Sequence, residues 1–371
     1  MKIGIDARIY GPKHGGIGRY VEQLLLELDK QDTTYNFVVF LRKDDFDTVT
    51  FNSTNIKKVL ADIPWYSLQE QFKLSAIINK QKVDLMHFPH WNIPLSYTKP
   101  FVVTIHDLIM YHFSRKEATT KSWLTYWLKD AAHKKVVEHA VKNACNIISP
   151  SQFTKLDVVK TLKIPADNIS VIYQGVTKLK KQDDITQPLD LKKYILYVGS
   201  AYPHKNVQGL CKAWKKYCQN NRDTTLVIAG KDDRFYQRLK MSELFLDTPN
   251  VKLLLGKSDK ELGSLYKYAQ AFVFPSLYEG FGLPPIEAMQ FHLPVLSSSR
   301  SCMPEVLGEA AYYVDPLDVD AFANAIDLII SNQEVRQTAV SNIYKELNRY
   351  NWAKCATETI NIYKKTLDNV D

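Results

Sequence analysis

The sequence predicts an α/β protein of two units, each a parallel sheet with helices on both faces. Three observations carry that prediction. Short apolar runs alternate with longer stretches of helical periodicity, the pattern that lays strands side by side and sends helices across them. The series runs twice, once on each side of a polar segment. The chain has 371 residues, more than one hydrophobic core ordinarily serves.

In the first series the strands are Lys2–Ile5, Phe37–Leu41, Leu85–Phe88, Phe101–Ile105 and Ile147–Ser149, with Val171–Tyr173 behind them. Helical stretches such as Ile17–Asp29 and Lys121–Asn143 lie between. Thr177–Asp190 is polar, carries three lysines, and reads as the linker. The second series is Tyr194–Val198, Thr225–Ala229, Val251–Leu255, Ala271–Phe274 and Pro294–Ser297. Two such series imply Rossmann-like units over residues 1–176 and 177–351 whose parallel sheets face a central cleft. A last helical stretch covers 352–371.

Composition narrows the class. Apolar residues make up 45% and charged residues 24% of the chain, as in soluble globular proteins. No apolar run approaches the roughly 18 residues of a membrane span, and the N-terminus lacks a signal-peptide apolar region. Five cysteines, an odd number without metal spacing, read as reduced thiols in the cytoplasm. Of the net charge of +8, most lies before Gly175, where 23 lysines and arginines face 17 acidic residues. A basic half suits a nucleic acid, an anionic membrane or a phosphorylated acceptor. With no nucleic-acid motif beside it, no nucleic-acid partner is expected.

In open parallel sheets, ligands bind beyond the carboxyl ends of strands. The candidate segments all fall at such ends. Gly15-Gly16-Ile17-Gly18 follows the first strand and opens a helix, where glycines let amides approach a phosphate or hydroxyl. His106-Asp107 follows Phe101–Ile105. Gly199–Lys205 follows Tyr194–Val198, Gly230-Lys231 follows Thr225–Ala229, and Ser276–Glu279 follows Ala271–Phe274. The segment Glu279-Gly280-Phe281-Gly282-Leu283-Pro284-Pro285-Ile286-Glu287 sets two carboxylates eight residues apart around a Gly-rich turn. One of its prolines fits the first helical position, and Glu287 then falls in the first turn. Both carboxylates can face one pocket and accept hydrogen bonds from hydroxyl pairs.

This segment resembles the Glu-x7-Glu element of the family 4 retaining glycosyltransferases, and the other strand ends match that family along nearly the whole chain. The resemblance implies the two-domain GT-B fold, with 352–371 crossing back onto the first domain. It implies donor contacts from Gly15, Gly16, Gly18, Ser200, Lys205, Lys231, Gly280, Phe281, Gly282, Leu283 and Glu287. Glu287 would hold the ribose and Glu279 the sugar hydroxyls. Lys205 would stabilise the departing diphosphate, and His106 would contact the transferred sugar, its ring oriented by Asp107. Many relatives carry Arg where this chain has Ser200, so a second cation is unassigned: Arg19 and His204 are the candidates, or Lys205 acts alone. His87 and His90 either shape the acceptor pocket or pack the loop with Trp91. No cofactor and no metal are expected, the nucleotide sugar being a substrate. The wording around Phe281-Gly-Leu-Pro and Ser298–Pro304 resembles bacterial mannosyl- and rhamnosyltransferases of surface-polysaccharide assembly, which makes GDP-mannose the first donor to test and a glycan or lipid-linked molecule the acceptor.

Three motifs are set aside. Asp318-Val-Asp320 imitates a metal-binding pair but fits a helix start. Gly256-Lys-Ser258 imitates a phosphate loop but has Val at 251 where that pattern needs Gly. Ser151 fits an N-cap. In Arg115–Lys142, basic residues surround Trp123, Tyr126 and Trp127. The stretch is either a helix lying on the inner face of an anionic membrane or a core helix with a solvated face. Three other functions share the architecture: a glycogen-phosphorylase-like enzyme, which needs a pyridoxal-phosphate lysine and usually a much longer chain, a nucleotide-sugar epimerase that hydrolyses its donor, and a catalytically silent binding subunit.

Overall fold

The computed structural model describes residues 1–113, 123–177 and 191–369, the side chains of 123–129 excepted. The chain divides into two compact units: Met1–Leu108, Arg115–Gly175 and Asn351–Asp371 form one, Ile109–Ser114 and Val176–Tyr350 the other. The turn Ile109–His112 thus counts with the second unit.

The first unit holds a seven-stranded sheet: β1 (Lys2–Asp6), β2 (Asn36–Leu41), β3 (Ile56–Leu60), β4 (Leu85–Phe88), β5 (Phe101–Thr104), β6 (Asn146–Ser149) and β7 (Ile169–Val171), in the order β3-β2-β1-β4-β5-β6-β7. The second holds β8 (Tyr194–Val198), β9 (Thr225–Gly230), β10 (Val251–Leu255), β11 (Ala271–Phe274), β12 (Val295–Ser298) and β13 (Ala311–Val314), in the order β10-β9-β8-β11-β12-β13. Every pair is parallel. Inner strands such as β4, β5, β8 and β11 are buried along their length. That is why they read as unbroken apolar runs rather than alternating ones.

The strand order reverses between β1 and β4 in one sheet and between β8 and β11 in the other. Those switch points open a crevice at the carboxyl ends. Both sheets gain an edge strand absent from the sequence reading, β3 and β13. The outermost strand of the first sheet is Ile169–Val171, two residues before the expected Val171–Tyr173.

The Gly15–Leu28 helix buries Tyr20, Val21, Leu24, Leu25 and Leu28 on its sheet-facing stripe. Each such side chain contributes about 1.5–3 kcal/mol. The last helix, Trp352–Asp368, joins the same core through Trp352, Cys355, Ala356, Tyr363 and Leu367. Its Tyr363 hydroxyl lies 2.6 Å from His87 Nδ1, while His87 Nε2 meets Thr104 Oγ1 at 2.9 Å. His87 is therefore a fully buried link between β4, β5 and the last helix, not an acceptor-facing group. Burial lowers its pKa to about 3, so the ring is neutral. A Cβ on Gly175 would stand 2.4 Å from the backbone nitrogen of Trp352, so the chain leaves and re-enters the first unit at one spot.

Ser151 caps the Gln152–Leu162 helix, accepting from the Thr154 amide. Asp318 caps Val319–Ser331, and Ser258 forms a capping box with Glu261. All three act as helix starts. The Arg115–Lys142 stretch lies partly outside the described residues. Of its described lysines, Lys134 pairs with Asp130 at 2.8 Å and Lys142 with Glu138 at 3.4 Å, so neither is a bare charge. Among the described residues no helix is long and apolar enough to cross a membrane.

Candidate active site

Each unit presents its own group of residues at its switch point. In the second unit the loops after β8 and β11 are tied together. The Leu277 amide donates to the His204 carbonyl at 2.7 Å, and Ser276 Oγ donates to the same oxygen at 3.1 Å. This lashing brings Lys205 Nζ to 2.5 Å from Glu279 Oε1, with both side chains largely buried. Lys205 also lies over the Phe274 ring at 5.3 Å. The Glu279 amide donates to Ser301 Oγ at 3.1 Å, and Ser301 holds φ at +56°. A left-handed serine persists only where its surroundings enforce it.

His204, one candidate for the second cation, is buried, and burial with the neighbouring Lys205 lowers its pKa to about 4. The ring is therefore held neutral at physiological pH. Ser200 sits in the loop with its carbonyl accepting from Tyr197 Oη at 2.7 Å. Gly230 ends β9 rather than following it, and a Cβ there would meet the Gly199 carbonyl at 2.3 Å. Lys231, just beyond, is exposed.

The turn Gly280–Leu283 enters the Leu283–Met289 helix through Gly282 at φ +87°. Leu283 takes the first helical position, and Pro284 and Pro285 follow. Both prolines still lie where backbone N–H groups have no helical partner. Glu287 is consequently the fifth helical residue, not a first-turn one. It stays buried and accepts from Tyr266 Oη at 3.2 Å. Phe281 turns its ring into the core, edge-on to Tyr350 at 5.3 Å. Only its backbone is left for a ligand.

In the first unit Gly15 and Gly16 are exposed at the start of their helix. Gly18 is buried for a different reason: a Cβ would stand 2.1 Å from the Gly11 carbonyl. It closes the loop against Gly11, whose amide donates to the Gly18 carbonyl at 3.1 Å. Before this loop in the chain, Arg8 is fully buried. It donates from Nε to Asp6 Oδ1 at 2.8 Å and from Nη2 to Asp6 Oδ2 and Glu70 Oε1 at 2.6 and 2.7 Å. Glu70 Oε1 also accepts from Asn92 Nδ2 at 2.7 Å. The network ties together the segments after β1, β3 and β4. Sequence reasoning missed it because Glu70 and Asn92 lie far from Asp6 and Arg8 in the chain and none sits in a motif.

His106 follows β5 and lies edge-on to Tyr20 at 4.8 Å. Its Nε2 donates to the Pro89 carbonyl at 2.9 Å, which leaves Nδ1 to accept from Gln174 Nε2 at 3.2 Å. The ring is thus oriented by Pro89 and Gln174, the role foreseen for Asp107. Burial lowers its pKa to about 4. His90 packs on Trp91 at 4.0 Å and shares a 2.6 Å hydrogen bond with Tyr66 Oη.

Comparison with known proteins bears on the family and the fold. Residues 180–346 match the family described as glycosyl transferases group 1, and residues 14–178 match glycosyltransferase family 4. The chain is 30% identical over 298 residues to the O-antigen chain mannosyltransferase B of Escherichia coli, covering 76% of this chain and 74% of that one. It is 27% identical over 304 residues to the O-antigen chain mannosyltransferase RfbU of Salmonella typhimurium, covering 81% and 79%. Among solved structures, the sucrose-phosphate synthase of Thermosynechococcus elongatus superposes over 100% of both chains with a TM-score of 0.77 at 20% identity.

Proposed function

Since the chain belongs to the family 4 glycosyltransferases of GT-B fold, we propose that it moves a hexose from a nucleoside-diphosphate sugar to a glycan or lipid-linked acceptor with retention of anomeric configuration. The single observation that supports this most is the Lys205–Glu279 pair at the β8/β11 switch point. A nucleoside diphosphate gains negative charge as it leaves, and a cation already fixed in a low-dielectric site lowers that barrier without reorganising. Lys205 supplies this charge, which is our reason for proposing a reaction without a metal. Glu279 and the 280–283 backbone take the sugar hydroxyls, and Glu287 the ribose.

His106 contributes by shape. With both ring nitrogens engaged it holds the Pro89 loop and offers the sugar only a carbon edge. The leaving phosphate is then the base for the acceptor hydroxyl, on the same face from which it departs. GDP-mannose is the donor to test first, because the named relatives are mannosyltransferases.

A thermal-shift panel of nucleoside diphosphates and their sugars tests the reading. A ligand at a hundred times its Kd stabilises the folded state by about 2.7 kcal/mol, so the true base should stand out. Donor consumption without any acceptor would favour an epimerase. Binding without turnover across acceptors would favour a silent subunit.

A further inference from the structure

Near the switch point of the first unit, a set of rings is held by more structure than packing requires. Tyr66 has φ +57°. For a bulky aromatic residue that is a genuine outlier, and such strain persists where the surroundings over-determine it. Here they do. The Tyr66 amide donates to Glu70 Oε2 at 2.9 Å, and Glu70 is fixed through its other oxygen by Arg8 and Asn92. Glu70 begins a single π-helical turn, Glu70–Leu74, a form frequent at functional sites. The Tyr66 hydroxyl is bound to His90, yet 54% of the residue is exposed. Trp65 beside it is half-buried, edge-on to His14 at 4.5 Å and covered by the Arg42 guanidinium 5.4 Å from its ring centre. Trp91 backs Tyr66 at 5.3 Å.

We infer that Tyr66, braced by His90 and flanked by Trp65, forms a stacking platform for a pyranose ring of the acceptor. The chemistry fits that occupant. An apolar ring face with polar groups at its rim matches a sugar, whose C–H face is apolar and whose edge carries hydroxyls. The platform lies beyond the carboxyl ends of β1, β3 and β4, on the edge of the unit that carries Gly15 and Gly16. The inference rests on the glycosyltransferase reading and adds the residues that choose its acceptor.

Saturation-transfer NMR on the full chain tests it, with methyl glycosides of mannose, rhamnose, glucose, galactose and N-acetylglucosamine as probes. At least one glycoside should receive saturation on its C–H face. Tyr66→Ala and Trp65→Ala should lower that signal at least about fivefold, and Tyr66→Phe should keep most of it, because stacking needs the ring and not the hydroxyl. Thermal shifts with nucleoside diphosphates, run on the same samples, should be unchanged in every variant. That arm separates the two failures. A protein that a nucleoside diphosphate stabilises, but that no glycoside touches, overturns the platform and leaves the enzyme class standing. So does a signal that survives both alanine variants. Binding of Tyr66 and Trp65 to phospholipid vesicles, with glycosides ignored, would make the surface a lipid contact and also sink the platform. No stabilisation by any nucleotide would count against the glycosyl-transfer reading itself.

Discussion

At Glu279 a carboxylate only 6% exposed depends on one ammonium for its charge balance. Removing Lys205 does two things: it takes away the diphosphate's counter-charge and strands a buried anion. Lys205→Ala should therefore lose turnover, nucleoside-diphosphate affinity and thermal stability together. The double variant Lys205→Ala/Glu279→Gln should recover much of the stability and none of the turnover. Recovery of both would show that Lys205 serves the fold alone. Glu279→Ala and Glu287→Ala should each cut turnover about a hundredfold, the scale of one well-placed transition-state contact, with circular dichroism unchanged. Wild-type turnover in both would remove them from the site. The buried histidines set the acid limit. His87, His106 and His204 titrate near 3, 4 and 4 in the fold and near 6.5 when unfolded. Below about pH 6.5 the unfolded chain takes up protons that the folded one refuses, so stability is full above that pH and declines as pH falls toward 4. Each ring contributes up to about 1.4 kcal/mol per pH unit. Urea curves at pH 7 and pH 5 should show the loss, and equal midpoints would refute the assignment.

At the scale of elements, glycines matter through backbone crowding more than through ligand approach. Gly230→Ala should cost about 1–3 kcal/mol by overpacking, because its new methyl would strike the Gly199 carbonyl, which accepts from Tyr236 Oη at 2.8 Å. Chemical denaturation measures this, and a midpoint at the wild-type value would mean that the loop relaxes freely. The elements themselves were legible in proportion to their burial. Tyr194–Val198 and Ala271–Phe274 are buried along their length and stand out as apolar runs. The missed strands β3 and β13 are edges. Ile56-Lys-Lys-Val-Leu60 carries two lysines and has no fully buried residue, and Ala311–Val314 has none either. An edge strand bonds on one side and meets water on the other, which is how two lysines come to interrupt β3. The edge β10 stayed legible through Leu253–Leu255, and β13, apolar throughout, was missed as a run of only four residues at an edge. The site was legible at glycines and charged residues fixed by local spacing. Ser301, Tyr266, Gln174 and the Arg8 network were not, since each acts on a partner distant in sequence.

At the scale of the molecule, the Trp352–Asp368 helix completes a core begun by the first residues of the chain. Tyr363→Phe tests that junction at the level of one atom. It removes the partner of His87 Nδ1 inside the core, and a buried polar group left unsatisfied costs about 1–3 kcal/mol. A melting temperature equal to wild type would show that His87 finds another partner. Activity at saturating substrate should hardly change, because His87 faces the last helix and not the switch point.

The meeting of Gly175 with Trp352 has a consequence for synthesis on the ribosome. Val176–Tyr350 of the second unit is inserted between two neighbouring points of the first, so the first must wait for Trp352–Asp368 before its core can close. At roughly 5–20 residues per second, making the intervening stretch takes on the order of ten to thirty-five seconds. During that wait Tyr20, Leu24 and His87 lack their last covering helix, while the second unit has every residue of Val176–Tyr350 it needs. Nascent chains arrested just after Tyr350 clears the exit tunnel should therefore show a protease-resistant second unit and a protease-sensitive first. Equal resistance in both would mean that the N-terminal sheet folds without its closing helix.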